Sequence, residues 1–130
     1  MGEQDIAVVE AVYAAFVRAD VPAILELFTP DCVVYQSAAL PWGGTHRGHG
    51  GLLTFLATLS TTIASVPVHE HLVADGDGHV SQVGRTRGTV KATGTAFDLF
   101  ENHVWTVRDG RITRFEAYLD TAGMLATLQA

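Results

Sequence analysis

Apolar residues recur at helical spacing in the first part of the chain and at alternating positions in the second. Ile6, Val9, Val12, Tyr13, Phe16 and Val17 share one side of an amphipathic helix that ends near Ala19. Asp20 can cap a second, short helix, with Pro22 in its first turn and Ile24, Leu25, Leu27 and Phe28 on its apolar side. Thr29-Pro30-Asp31 breaks that helix, and Cys32 to Ser37 predicts a strand. A glycine-rich loop from Ala38 to Gly50 precedes a third helix that carries Leu52, Leu53, Phe55, Leu56 and Leu59 and runs as far as Ala64. Pro67 then opens a run of strands: Val68 to Ala74, His79 to Lys91, Ala96 to Val107 and Ile112 to Leu119. Asp75-Gly76-Asp77-Gly78, Thr93-Gly94 and Arg108-Asp109-Gly110-Arg111 are the turns. The last is the sharpest signal, because Asp-Gly supplies the positive φ of a two-residue primed turn. Gly84 and Gly88 interrupt the long strand and predict a bend or bulge there. Asp120-Thr121 stops the final strand and can cap a short helix from Ala122 to Leu128. Helices first and strands later predict an α+β fold.

Composition narrows the function. With 130 residues, the chain reads as one domain over 1–130, and its 48% hydrophobic content supports a substantial core. The net charge of −6 argues against nucleic acid or an anionic membrane as partner. No apolar run reaches the ~18 residues of a membrane span. The N-terminus lacks the basic start of a signal peptide, and Cys32 is alone, so a reducing cytoplasm is the expected setting.

Four stretches carry a family resemblance: VVEAVYAAFVRADVPAILELFTPDCVVYQ, then LPWGGTHRG, then VADGDGHV, and finally HVWTVRDGRITRFEAYLDTAGML. In order and spacing they resemble the nuclear transport factor 2-like superfamily, above all its SnoaL-like branch, over nearly the whole chain. The resemblance implies a cone: a curved antiparallel sheet wrapped on three N-terminal helices, with a short C-terminal helix. It also implies an apolar cavity and, often, a homodimer. It does not imply one reaction, since the superfamily holds ketosteroid isomerases, polyketide cyclases, epoxide hydrolases, dehydratases and non-catalytic binders.

The isomerase pattern, which is a standard worked case of pKa tuning, transfers incompletely. The position of its carboxylate base falls on Gln36, and an amide cannot take up a proton near neutrality. Its oxyanion tyrosine falls on Val12, with Tyr13 about 100° further round the helix. Its protonated aspartate falls on Asn102, which can still donate to a carbonyl or enolate oxygen. The cyclases are similar to the segment Asp120 to Leu125 and also need an acidic group. Asp120 is the candidate, although alternation puts it with Arg114, Glu116 and Tyr118, opposite Phe115, Ala117 and Leu119, and makes it a helix cap. The epoxide hydrolase pattern of an arginine with two aspartates has no counterpart around Arg85-Thr86-Arg87.

The remaining candidates are read from position. His46, in the loop before the third helix, is near the expected cavity mouth and is a candidate acid or base. His69 and His71 share a strand face at metal-ligand spacing, but no third ligand accompanies them, so no metal is expected. The loop glycines lack a Walker lysine or a dinucleotide fingerprint, so no cofactor is expected either. Tyr13, Phe16, Trp42, Phe55, Phe100, Phe115 and Leu119 are the candidate ligand contacts. Arg85 and Arg87 share a face, read as solvated or turned to a partner. Glu101, His103 and Trp105 are read as outward and as a hint of a dimer surface.

Two functions follow. One is an enzyme on a small hydrophobic carbonyl compound, with Gln36 and Asn102 polarising an oxygen and His46 or Asp120 moving a proton. The other is a small-ligand binder or dimeric scaffold without chemistry. The absent carboxylate at Gln36 weighs against the first; an amide pair in an apolar pocket weighs for a polar ligand.

Overall fold

A computed structural model describes residues 2–130. Among these residues the chain forms helices α1 (Glu3–Val17) and α2 (Val21–Leu27) and strands β1 (Phe28–Gln36) and β2 (Gly44–Arg47). Helix α3 (Gly48–Thr62) follows, then strands β3 (Ile63–Ala74), β4 (His79–Val90), β5 (Ala96–Arg108) and β6 (Arg111–Leu119), and helix α4 (Thr121–Gln129). The strands make one open sheet in the order β2-β1-β6-β5-β4-β3. All neighbours are antiparallel except β1 and β6, which are parallel. The helices cover one side of this sheet, and the core between them is centred on Val9, Ala15, Val34, Ile112 and Met124, all fully buried. The expected α+β architecture is therefore present.

Local chemistry explains the boundaries. Helix α1 stops where Ala19 turns left-handed, with φ 55°. Asp20 then caps α2 by accepting from the Ala23 amide at 3.2 Å. Asp109 and Gly110 both have positive φ, as a primed hairpin turn requires. Several boundaries differ from the sequence expectation: α3 ends at Thr62, so Ile63 and Ala64 belong to β3 rather than to the helix, and two of the differences are at prolines. Thr29-Pro30-Asp31 does not break the chain between elements; it lies inside β1, where the pairing to β6 shifts register between Phe28 and Val33. Pro67 lies inside β3, an edge strand, where a proline is best tolerated. The loop from Ala38 also carries the short strand β2, and α3 starts at Gly48.

Two bulges set which residues face the helices. In β3, His69 pairs with Gly84 and His71 with Val83, so Glu70 is the extra residue. His69 and His71 consequently do not share a face: His69 meets Tyr13 from the inner side, whereas beyond the bulge Leu72 and Ala74 turn inward. Among the described residues no group of three or more potential ligands stands together.

The second bulge is in β6. Val107 pairs with Ile112 but Thr106 with Arg114, leaving Thr113 unpaired. A regular hairpin continuing from that turn would place Asn102 opposite Ala117 and Phe100 opposite Leu119. The extra residue moves the pairing by one, so His103 opposes Ala117, Glu101 opposes Leu119 and Trp105 opposes Phe115.

Helix α4 begins at Asp120, whose carboxylate accepts from the Gly123 amide at 3.0 Å while remaining exposed. Asp120→Ala is expected to cost about 0.5–2 kcal/mol by loss of that cap. Urea denaturation measures it, and an unchanged midpoint would contradict the capping role.

Candidate functional site

Between the sheet and the helices lies a cavity of about 100 Å³. Helix α1 contributes Val12, Tyr13 and Phe16, α3 contributes Leu52, Phe55, Leu56 and Leu59, and α4 contributes Met124. The sheet supplies Phe28, Phe115, Ala117 and Leu119, and the loop before β2 supplies Trp42. Against this apolar wall stand Gln36, Thr86, Glu101 and His103.

The registers place these polar groups. Gln36 pairs with Ala117, Ala117 with His103, and His103 with Gln82, so the four form one row across β1, β6, β5 and β4. Gln36 and His103 are two strand spacings apart, roughly 10 Å, with only the methyl of Ala117 between them. The next row runs Leu119, Glu101, Gly84, His69.

A connected polar line crosses the wall. The Trp105 indole N–H donates to the Tyr13 hydroxyl at 3.0 Å. The Tyr13 oxygen lies 2.6 Å from His103 Nδ1. His103 Nε2 lies 3.2 Å from Glu101 Oε1, and the two side chains are only 13% and 8% exposed. The Gln82 amide N–H₂ donates to Glu101 Oε2 at 3.3 Å. The protons can be placed from donor chemistry. Trp105 can only donate, and an ionised Glu101 can only accept. Neutral His103 then carries its proton on Nε2, towards Glu101, and its bare Nδ1 accepts the proton of Tyr13. Burial pushes the Tyr13 phenol well above its ordinary range. The Trp105 bond offsets part of that rise, and the negative charge of Glu101 adds to it. Tyr13 therefore keeps its proton and is a donor, never a base.

A second fixed donor faces the cavity from the far side. Trp42 N–H donates to Gln36 Oε1 at 2.9 Å, which settles the orientation of that amide. Gln36 Nε2 then has no partner among the described residues and lines the cavity.

Several expected site residues lie elsewhere. Asn102 is on the outer side of β5, donating to Ser81 Oγ and the Gln82 carbonyl. Phe100 is beside it, 63% exposed and stacked under Arg85. Arg85 and Arg87 occupy the same outer side, both paired with Asp98. Asp120 caps α4 and does not line the cavity. His46 hydrogen-bonds the Trp42 carbonyl at 3.1 Å and packs on Phe55, which makes it a support of the cavity wall rather than a lining residue. Conversely Glu101, His103 and Trp105, expected outside, face in, and Trp105 is 3% exposed. For the residues of β5 the reason is the Thr113 bulge. Its sequence signature is Ile112 and Phe115, two core residues three apart in one strand, where strict alternation demands two. Of the expected ligand contacts, Tyr13, Phe16, Trp42, Phe55, Phe115 and Leu119 line the cavity.

His69, the outermost member of the second row, gives the site a pH signature. Burial lowers its pKa from 6.5, Glu101 and Glu10 pull it back up, and His103 adds to the lowering. In the unfolded chain His69 takes up a proton near 6.5; in the folded chain it does so only at lower pH. The unfolded state thus binds more protons in that window, and stability falls as pH drops below about 6.5. The urea midpoint is expected to be lower at pH 5.5 than at pH 7.5; an equal or higher midpoint would contradict this environment for His69.

Comparison with known proteins places this architecture. The family model for the SnoaL-like domain matches residues 9–115. An uncharacterised protein of Mycobacterium tuberculosis is 30% identical over 123 residues, which are 92% of each chain. A nuclear transport factor 2-like protein of unknown function from Burkholderia pseudomallei is 28% identical, covers 98% of this chain and 99% of its own, and superposes with a TM-score of 0.90. TerC, co-crystallised with polyporic acid, is 29% identical, covers 98% of this chain and all of its own (100%), with a TM-score of 0.89. No helix among the described residues is long and apolar enough to cross a membrane. With a family match over most of its length and the same curved sheet closed by helices, the chain belongs to the SnoaL-like family of the nuclear transport factor 2-like superfamily.

Proposed function

We propose that this protein takes a small hydrophobic carbonyl compound into the cavity and moves a proton on it. The observation that carries the reading is the line Glu101, His103, Tyr13: a carboxylate, an imidazole and a phenol on an otherwise apolar wall. Burying such groups is costly unless something polar uses them. The carboxylate base missing at Gln36 is supplied by Glu101 from another strand.

In this reading Glu101 removes a proton from the carbon next to the carbonyl, and the C–H electron pair moves onto the carbonyl oxygen. The Gln36 amide N–H is the donor for that oxygen, the Tyr13 proton being given to His103. His103 holds Tyr13 and Glu101 in place. Glu101 then returns the proton to carbon, so atoms and charge balance without a co-reactant. The co-crystallisation of TerC with polyporic acid supports the cavity as a ligand seat. A ligand-binding role without chemistry is the second reading, favoured by the preponderance of apolar lining.

The test is exchange of the α-protons of 2-tetralone in D₂O, followed by NMR. Exchange accelerated by the protein supports proton transfer. Saturable binding without exchange favours the binder, and neither binding nor exchange by a panel of flat ketones and phenols overturns the reading. We further propose a homodimer whose contact is the outer side of the sheet, where Phe100, Tyr118, Val83 and Val66 are exposed. Light scattering on the protein and on Phe100→Asp tests it; a monomeric unmodified protein rules it out.

A further inference from the structure

Gln82 is fully buried, and its Oε1 has no hydrogen-bond partner. Its N–H₂ group, by contrast, is doubly engaged: one side faces Glu101 Oε2 at 3.3 Å, the other His69 Nδ1 at 3.1 Å. An orphaned buried carbonyl calls for a physical reason. Here the two acceptors supply it. An ionised carboxylate offers no proton, so it must meet the amide N–H₂, and the second amide hydrogen then points to a bare His69 Nδ1. Turning the amide by 180° would give Oε1 a partner only if Glu101 or His69 Nδ1 carried a proton. The observed orientation thus fits one combination, with Glu101 charged and His69 neutral with its proton on Nε2.

The sequence makes room for this arrangement. Gly84 stands between Glu101 and His69 in their cross-strand row. A Cβ at that position would lie 2.9 Å from Gln82 Nε2 and would clash with the Val68 carbonyl oxygen. The Glu70 bulge beside it turns His69 towards the amide. His69 itself is exposed, on a surface groove between α1 and β3 lined also by Glu10, Ala14, Val17 and Leu72.

We propose that Gln82 is a positioning residue that holds the Glu101 carboxylate against His103 and couples its charge to the surface histidine, so that protonation of His69 turns the amide and favours protonation of Glu101. Gln82 carries no proton in this scheme. His69 takes its proton from water in the groove, and Glu101 takes its own from water in the cavity. The groups facing His69 are Tyr13 and Glu10 from α1 and Glu101 and His103 from β5; from β4 the uncharged Gln82 reaches it, and Glu70 and His71 flank it in β3. Glu10 and Glu101 favour its proton; burial and His103 oppose it. The regulatory consequence rests on Glu101 being the proton acceptor, whereas the coupling is a property of the ligand-free protein.

The experiment is ¹⁵N NMR of histidine-labelled full chain between pH 5 and 8. In the unmodified protein, neutral His69 is expected to carry its proton on Nε2. Loss of the Glu101 charge lowers the His69 midpoint through space, whereas the amide freed to turn raises it, so Glu101→Gln should lower the midpoint roughly twofold more in a Gln82→Met background than with Gln82 in place. A proton on His69 Nδ1 in the neutral form overturns the proposal, as does an equal effect of Glu101→Gln with and without Gln82. The tautomer is read on the unmodified chain, so the proposal stays testable even where a variant fails to fold. If 2-tetralone exchange is absent while the coupling is present, the functional reading fails and the coupling stands.

Discussion

Glu101→Gln is expected to slow α-proton exchange on a bound ketone by about 10²–10⁴-fold, the usual range for a positioned general base. The substitution keeps the shape of the side chain and removes only its capacity to take a proton. Binding of the same ketone should change little, because the apolar wall and the donor Gln36 remain. The expected signature is therefore a loss in turnover with a nearly constant KM. Asn102→Ala and Asp120→Ala serve as comparisons: both residues lie off the cavity and should leave exchange unaffected. If Glu101→Gln retains full exchange while Asn102→Ala loses it, the assignment of the base is wrong.

Trp105→Ala is expected to be the most destabilising of the substitutions considered, by about 3–5 kcal/mol, which corresponds to a Tm lower by roughly 10–20 °C for a domain of this size. Its ring packs on Phe115 at 4.2 Å between centroids and meets Tyr13 and Phe28 edge-on. Deleting it opens a void beside the cavity and removes the donor that orients Tyr13. Trp105→Phe separates the two effects. It keeps most of the packing and loses the N–H, so about 1–3 kcal/mol is expected from the changed hydrogen bonding. Calorimetry on the two variants decides it: equal losses would mean that packing contributes little and that Trp105 is not the core residue its burial indicates.

The contrast between Trp105 and Asn102 explains how far this sequence can be read. The hairpin at Asp109-Gly110, the caps at Asp20 and Asp120, and the helical spacing of Val9, Val12 and Phe16 are local signals, and local chemistry decides them. Order and type of elements followed from these, together with the resemblance to the family. The facing of β5 is not local. It depends on where the partner strand inserts Thr113, and a shift of one residue moves every side chain to the other face. Residues on short connections or helices, such as Tyr13, Trp42 and Phe55, could be placed at the cavity from sequence. The polar residues of β5 could not, and with them went the carboxylate that the chain otherwise lacked. The spacing of Ile112 and Phe115 was the available clue. Gln82 left no such trace: nothing in SQVGRTRG marks one glutamine as the buried neighbour of an acid on the next strand.

The most direct measurement of the central claim is a crystal structure of the protein soaked with 2-tetralone or 2-naphthol. The account predicts that the ligand lies in the cavity with its oxygen within hydrogen-bond reach of Gln36 and one edge against Glu101. A ligand held only by Trp42 and the phenylalanines, with its oxygen turned away from Gln36 and Glu101, would contradict it and leave a binding role in its place.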